Sequence, residues 1–101
     1  MAKLVRIGPN AGLATIVDIH RAIREGLEET QALVVDLDGV ETADVSLIQL
    51  VWSAEETART TGKDVALSGP ANEVVRDVLE RGGFLCDERA RRFWLSAGEV
   101  V

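Results

Sequence analysis

Apolar positions along the chain follow two different periods, which divide it into short strands and amphipathic helices. Residues 4–7 alternate apolar and basic side chains, as a short strand does. After a loop rich in glycine, apolar residues recur three and four positions apart, which predicts a helix with one buried face. The members of this stripe are Ile16, Ile19, His20, Ile23 and Leu27. Thr15 and Asp18 have the spacing of a capping box at the start of that helix.

The pattern repeats in the second half of the chain. Residues 32–37 form a continuous apolar run with β-branched members, which is typical of a central strand covered on both faces. Asp44 then has the position of an N-cap for a helix that ends near Gly62. The apolar stripe of that helix consists of Leu47, Leu50, Val51, Ala54 and Ala58. Residues 65–68 predict another buried strand, and Asn72 is placed to cap a third helix.

Strands and helices therefore alternate, which predicts an α/β fold. Right-handed crossovers would build a small sandwich in which helices pack against a mostly parallel or mixed sheet of four or five strands. Residues 93–95 are a candidate edge strand. A chain of 101 residues with 47% hydrophobic content fits a single domain over residues 1–101.

The charge balance restricts the class of partner. Seventeen acidic side chains against 11 basic ones give a formal net charge of -6, and such a field repels nucleic-acid phosphates and anionic lipid headgroups. We therefore expect neither nucleic-acid binding nor membrane insertion. Cys86 is the only cysteine, and the sequence has neither a signal-peptide pattern nor an apolar run near the roughly 20 residues of a membrane span. A reducing, cytoplasmic location is expected.

Two aspartates at the end of the predicted central strand carry the most enzyme-like signal. Asp36 and Asp38 resemble the first motif of haloacid-dehalogenase-type phosphatases, in which one aspartate attacks a phosphoryl group and the other acts as acid and base beside magnesium. Such enzymes open on this strand, carry a later acidic pair and run to about twice this length. Here the motif lies in mid-chain. We favour the interpretation that both aspartates are turn residues, with no metal or cofactor, and keep the phosphatase as an alternative.

The following stretch resembles the STAS family, named for sulfate transporters and anti-sigma factor antagonists. Residues 34–51 give a strand, Asp-Leu-Asp-Gly-Val, a short loop, and then Asp44-Val45-Ser46-Leu47 opening a helix. The similarity covers about residues 32–84, with a weaker match through the N-terminal part. The Leu-Ile-Gln-Leu sequence of residues 47–50 is similar to a bacterial subgroup found beside chemotaxis proteins.

The resemblance implies a non-enzymatic binding module in partner-switching signal transduction. In regulatory members a serine at this helix start is phosphorylated by a partner kinase, and the added charge decides which protein is bound. The implied partner is an anti-sigma factor with a kinase-like fold or a chemotaxis signalling protein, and a weak homodimer is a further candidate. An alternative resemblance is to STAS subunits of lipid-transport ATP-binding-cassette complexes, where the same helix start contacts the ATPase.

The chain departs from the family pattern at the usual phosphoacceptor position, which is Val45 here. Two interpretations stay open. Either Ser46, with Thr42 in reserve, is the phosphorylation site, or the chain binds constitutively and Val45 and Leu47 add apolar surface. Both interpretations predict a partner-binding segment over residues 40–48. Its predicted members are Val40, Thr42, Asp44, Val45, Ser46, Leu47 and Ile48.

Four other features receive structural interpretations. His20 lies on an apolar helical face without a second histidine nearby, so we expect packing and no metal site. Trp52 is expected at the edge of the core, and Cys86 is expected to be a buried or partly buried thiol. The basic cluster is expected to be a solvated face; its members are Arg89, Arg91 and Arg92.

Overall fold

A computed structural model describes residues 2–95 as an alternation of strands and helices; residues 1 and 96–101 of the predicted single domain lie outside the described residues. The strands are β1 (Ala2–Arg6), β2 (Asn10–Ala11), β3 (Ala32–Asp36), β4 (Thr42–Ala43) and β5 (Asp64–Leu67). The helices are α1 (Ile16–Glu29), α2 (Val45–Thr60), α3 (Glu73–Arg81) and α4 (Glu88–Leu95), and a 3-10 turn (Leu13–Thr15) precedes α1.

The strands form two separate parallel sheets. In the larger sheet β3 lies between β1 and β5, and Val35 is in register with Val5 on one side and with Leu67 on the other. Within residues 2–95, the two-residue strands β2 and β4 form a separate parallel pair. The α/β class of a STAS-type fold is confirmed, but its five described strands do not form one sheet. The carbonyl of Pro9 accepts hydrogen bonds from the N–H groups of Glu41 and Thr42, at 2.8 and 3.0 Å, so these loops pair locally.

The larger sheet has one buried face and one open face. Val5, Val35 and Leu67 are at most 9% exposed and belong to the core beneath the helices. On the opposite face Leu4 is 50% exposed, and Ala66 is also exposed. The expectation that residues 32–37 are covered on both faces is therefore wrong, because burial along β3 alternates. The alternation is what a sheet with helices on a single face produces.

Helix α1 lies unusually close to the sheet at Gly26. A Cβ atom at this position would lie 2.7 Å from Cδ1 of Leu33 on β3, so a larger residue would force the helix or the leucine to move. Ile19 and Ile23 of the predicted stripe are buried, whereas His20 is exposed and does not pack in the core. The predicted capping box is absent, because the Thr15 hydroxyl instead donates to the carbonyl of Asn10 at 2.8 Å.

The C-terminal part of the described chain is helical, so the prediction of an edge strand over residues 93–95 is wrong. Asp87 accepts the N–H of Ala90 at 2.7 Å and starts α4, which buries Ala90 and Trp94 one turn apart. Arg89 is not simply solvated, because its guanidinium lies 4.3 Å from the ring centre of Trp52 and 2.5 Å from Glu55.

Two smaller expectations about this region have different outcomes. Trp52 is half-buried and packs against the core, as predicted. Cys86 is exposed, so the expectation of a buried or partly buried thiol is wrong. It lies in the connection between α3 and α4.

Candidate functional site

Asp44 forms the junction between β4 and α2. Its side chain caps α2 as predicted: Oδ1 accepts the N–H of Ser46 at 2.9 Å and also the Ser46 hydroxyl. The other oxygen, Oδ2, accepts the N–H of Leu13 at 2.9 Å. One carboxylate therefore ties the start of α2 to the 3-10 turn before α1, which is 31 residues away in sequence.

The electrostatics of this junction keep the carboxylate ionised. The hydrogen bond from the Ser46 hydroxyl is the main cause that lowers the pKa of Asp44 below its ordinary value of 3.8, and the N–H of Leu13 lowers the pKa further. Gly12 lets the carboxylate come this close, because a Cβ atom at Gly12 would lie 2.6 Å from Oδ2 of Asp44. The backbone at Gly12 is extended, so the requirement here is for space and not for an unusual φ.

Exposed apolar side chains lie at this junction. Four large apolar side chains within residues 2–95 are exposed, and three of them belong to the two segments that Asp44 joins. Val45 is 42% exposed, Leu13 is 74% exposed, and Val17, about one turn further along, is 67% exposed. We call Leu13, Val17 and Val45 the apolar patch. Leu13 and Val17 were missed in the sequence, although both are large apolar residues outside the Ile16–Ile19–Ile23 stripe that forms the core face of α1.

The predicted partner-binding segment divides into an exposed and a buried part. Thr42 and Asp44 are exposed with Val45, and Ser46 is half-buried. In contrast, Val40, Leu47 and Ile48 are at most 2% exposed, so the prediction that their side chains contact a partner is wrong. Leu47 and Ile48 lie on the core side of α2 together with Val51, because helical residues three and four apart share a face.

Both hydroxyls proposed as phosphate acceptors donate hydrogen bonds to other side chains. The Ser46 hydroxyl donates to Asp44, and the Thr42 hydroxyl donates to Oδ1 of Asn10 at 3.0 Å. The Thr42 bond joins β4 to β2, and the Ser46 bond lies within the N-cap of α2.

Asp36 and Asp38 are used in the turn that follows β3. Oδ1 of Asp36 accepts the N–H of Asp38 at 2.9 Å, and Oδ2 lies 3.4 Å from Nε of Arg6. The amide of Asn72 reinforces the same turn by donating to the carbonyl of Val40 at 2.9 Å. These contacts support the interpretation of both aspartates as turn residues. In the part of the chain that the structure covers, no group of three or more His, Cys, Asp or Glu side chains has an arrangement suited to a metal ion.

A groove runs between α1 and α2. Its apolar floor is formed by Ile23, Leu27, Leu50 and Ala54, and its polar walls are formed by His20, Arg24, Ser53 and Thr57. The groove has a volume of about 120 Å³. We call it the α1–α2 groove. None of the helices within residues 2–95 is long and apolar enough to span a membrane.

A match is found among the models of known protein families. The family model described as "Mlab, STAS domain" matches residues 2–85, which include the apolar patch, the α1–α2 groove and the turn after β3. A search of curated proteins finds no match.

Proposed function

Because this chain belongs to the STAS domain family, we propose that it is a non-enzymatic regulatory module that binds another protein through the apolar patch. The observation that carries the proposal is that Leu13, Val17 and Val45 are exposed on the two segments that Asp44 joins. Exposed apolar side chains that cluster on one edge mark interaction sites more often than singly scattered ones do.

The charges beside the patch favour a partner with a basic rim. Asp44 is ionised beside Val45, whereas Asp18, which follows Val17, is exposed but paired with Arg21 at 3.6 Å. Arg81 of α3 lies in the same depression as Val45 but is paired with Asp77 at 3.1 Å. A partner surface with an apolar projection framed by lysine or arginine would complement this edge. We propose an anti-sigma factor with a kinase-like fold, or a chemotaxis signalling protein, as the partner class.

The geometry favours constitutive binding over a phosphorylation switch. A phosphoryl group on Ser46 would replace the hydroxyl hydrogen that Asp44 accepts and would place about two negative charges beside an ionised carboxylate. The carboxylate would keep the N–H of Ser46 as a donor, but repulsion by the phosphoryl group would weaken the cap of α2. Intact-mass analysis after incubation with a candidate partner kinase tests this point: we expect no added phosphoryl group, and a mass increase that Ser46→Ala removes would establish the switch instead.

The apolar character of the patch also favours a second candidate. Long-lived subunit interfaces are more apolar than transient ones, and none of the three patch residues can accept a phosphoryl group. The chain would then be a STAS subunit of a lipid-transport ATP-binding-cassette complex, with the start of α2 against the ATPase. Co-purification as a stable complex with an ATPase subunit would favour this candidate over a signalling partner.

Affinity measurements on patch variants test the proposed surface with either class of partner. Leu13→Ser and Val45→Asp should each weaken binding about tenfold or more, because each removes an apolar contact worth about 1.5 kcal/mol. Leu4→Ser is the matched control, since Leu4 is also exposed but lies on the open face of the sheet. Thermal denaturation checks that each variant is folded. Unchanged affinity in folded Leu13→Ser and Val45→Asp proteins would exclude the patch as the binding surface.

A further inference from the structure

The α1–α2 groove continues the proposed binding surface along the two helices. Both helices begin near Asp44, and since each connects parallel strands of the same sheet, they run in the same direction. On α2, the spacing of residues 46, 50, 53 and 57 places them on one face, which leads from the start of the helix into the groove. On α1, residues 17, 20, 24 and 27 are spaced in the same way. The groove therefore begins next to Val17 of the apolar patch, whereas Val45 lies in a depression that faces α3.

Arg24 gives the groove an unbalanced positive charge. Most lysine and arginine side chains within residues 2–95 make an ion pair or donate to a carbonyl. Arg24 and Arg59 are the two in these described residues for which no such bond is found. Of this pair only Arg24 lines the groove, beside the exposed His20. An arginine left without a carboxylate beside an apolar groove favours an acidic side chain at that point of the occupant.

The dimensions of the groove favour side chains of a helix over a small molecule. Its volume of about 120 Å³ is well below the roughly 300 Å³ or more of pockets that enclose a ligand. The lining residues span two turns of each helix, from His20 to Leu27 and from Leu50 to Thr57. Ridges of a third helix can pack into a groove of this kind, with apolar side chains on the floor and polar ones along the rim.

We propose that the α1–α2 groove receives an amphipathic helix of the binding partner, with apolar side chains on Leu27, Leu50 and Ala54 and an acidic side chain facing Arg24. The identity of the protein that supplies this helix rests on the proposed function. The preference for an acidic helix rests on the residues of the groove itself. The preference for an acidic helix can therefore be tested without the partner protein.

Two synthetic peptides of about three helical turns serve as probes. Both carry leucines at positions i, i+4 and i+7; one has glutamates beside them, and its twin has lysines in their place. Titration of the isotopically labelled full chain should show that the acidic peptide shifts the amide resonances of Ser53, Ala54 and Thr57. The basic twin should bind at least fivefold more weakly. Arg24→Glu should weaken binding of the acidic peptide about fivefold and strengthen binding of the basic one.

Arg59→Glu is the matched control, because it makes the same change in net charge at an arginine that does not line the groove. It should leave the affinity of the acidic peptide within about twofold of the native chain. Equal binding of the two peptides, equal effects of Arg24→Glu and Arg59→Glu, or resonance shifts away from the groove would each overturn the inference. A dimer in sedimentation that Arg24→Glu dissociates would also overturn it, because the occupant would then be a second copy.

The same variants separate this inference from the proposed function. Val45→Asp should reduce binding of the whole partner and leave binding of the acidic peptide unaffected, because Val45 does not line the groove. If Arg24→Glu does not change the affinity for the acidic peptide while Val45→Asp still weakens binding of the partner, only the proposal for the groove is rejected. If Val45→Asp does not weaken binding of the partner while the acidic peptide still binds in the groove, only the proposal for the apolar patch is rejected.

Discussion

Replacing Asp44 with alanine tests the junction on which the proposed surface depends. The substitution removes the N-cap of α2, which typically contributes about 1 kcal/mol to stability. It also deprives the N–H of Leu13 of its acceptor, at a cost of about 0.5 kcal/mol because water can reach this exposed site. The sum of about 1.5 kcal/mol corresponds to a fall in Tm of about 6–12 °C for a domain of this size. Thermal denaturation followed by circular dichroism measures it.

The pH dependence identifies the charged form as the stabilising one. The pKa of Asp44 is lower in the folded chain than its ordinary value of 3.8, mainly because the Ser46 hydroxyl donates to it. A lowered pKa contributes stability that is complete above the unfolded value and is lost as the pH falls through the folded value. The difference in Tm between the native chain and Asp44→Asn should therefore be constant above about pH 5 and shrink below 3.8. Asparagine keeps the cap, so this difference should be smaller than that for alanine.

Gly12→Ala provides an independent test of the same contact. Its Cβ would occupy the space next to Oδ2 of Asp44, so it should destabilise the native chain by about 1 kcal/mol and have a smaller effect in the Asp44→Ala background. A Tm for Asp44→Ala within about 2 °C of the native value would refute the reasoning. Additive effects of the two substitutions would show that Gly12 and Asp44 do not interact.

The remaining predictions concern the core, the C-terminal helix and the turn after β3. Leu47→Ala should lower the free energy of unfolding in urea by about 3 kcal/mol and leave the affinity of the folded fraction unchanged; reduced affinity of that fraction would make Leu47 a contact residue after all. Arg89→Ala should lower stability by about 1 kcal/mol and change tryptophan fluorescence, since Arg89 covers Trp52 and pairs with Glu55; unaltered fluorescence would contradict this contact. Neither the native chain nor Asp36→Asn should hydrolyse phosphate esters with magnesium, and an activity that Asp36→Asn abolishes would reject the non-enzymatic proposal.

Local chemistry explains which parts of the fold and site were predictable. Asp44 and Asn72 cap helices through bonds to residues two and three positions away, so a short stretch of sequence contains the whole interaction. The bond between Asp44 and Leu13 spans 31 positions and depends on how α1 and α2 are placed on the sheet. Nothing local to Leu13 indicates it. Half of the candidate site was therefore visible in the sequence, and the other half required the tertiary structure.

The predictions that were wrong also relied on short stretches of sequence, which do not determine how an element packs. Residues 93–95 are a short apolar run, which a strand and a buried helix segment produce equally well. The spacing of Ala90 and Trp94, both buried in α4, was the better guide. Leu47 was placed in the apolar stripe of α2 and also in the partner-binding segment, the latter because its position opens the helix in the family pattern. Its distance of four residues from Val51 instead places it in the core, and both side chains are fully buried.

The contact between Gly26 and Leu33 allows a change in the interior to alter recognition at a distance. Because the helix rests on β3 at a point where only a hydrogen atom fits, the depth of α1 depends on the size of residue 26. An alanine there would displace the side chain of Leu33 or the middle of α1, and a displaced α1 would change the width of the α1–α2 groove, although residue 26 itself is buried. Related chains could therefore diverge in the partners they accept through one hidden position, while every side chain on the surface remains the same.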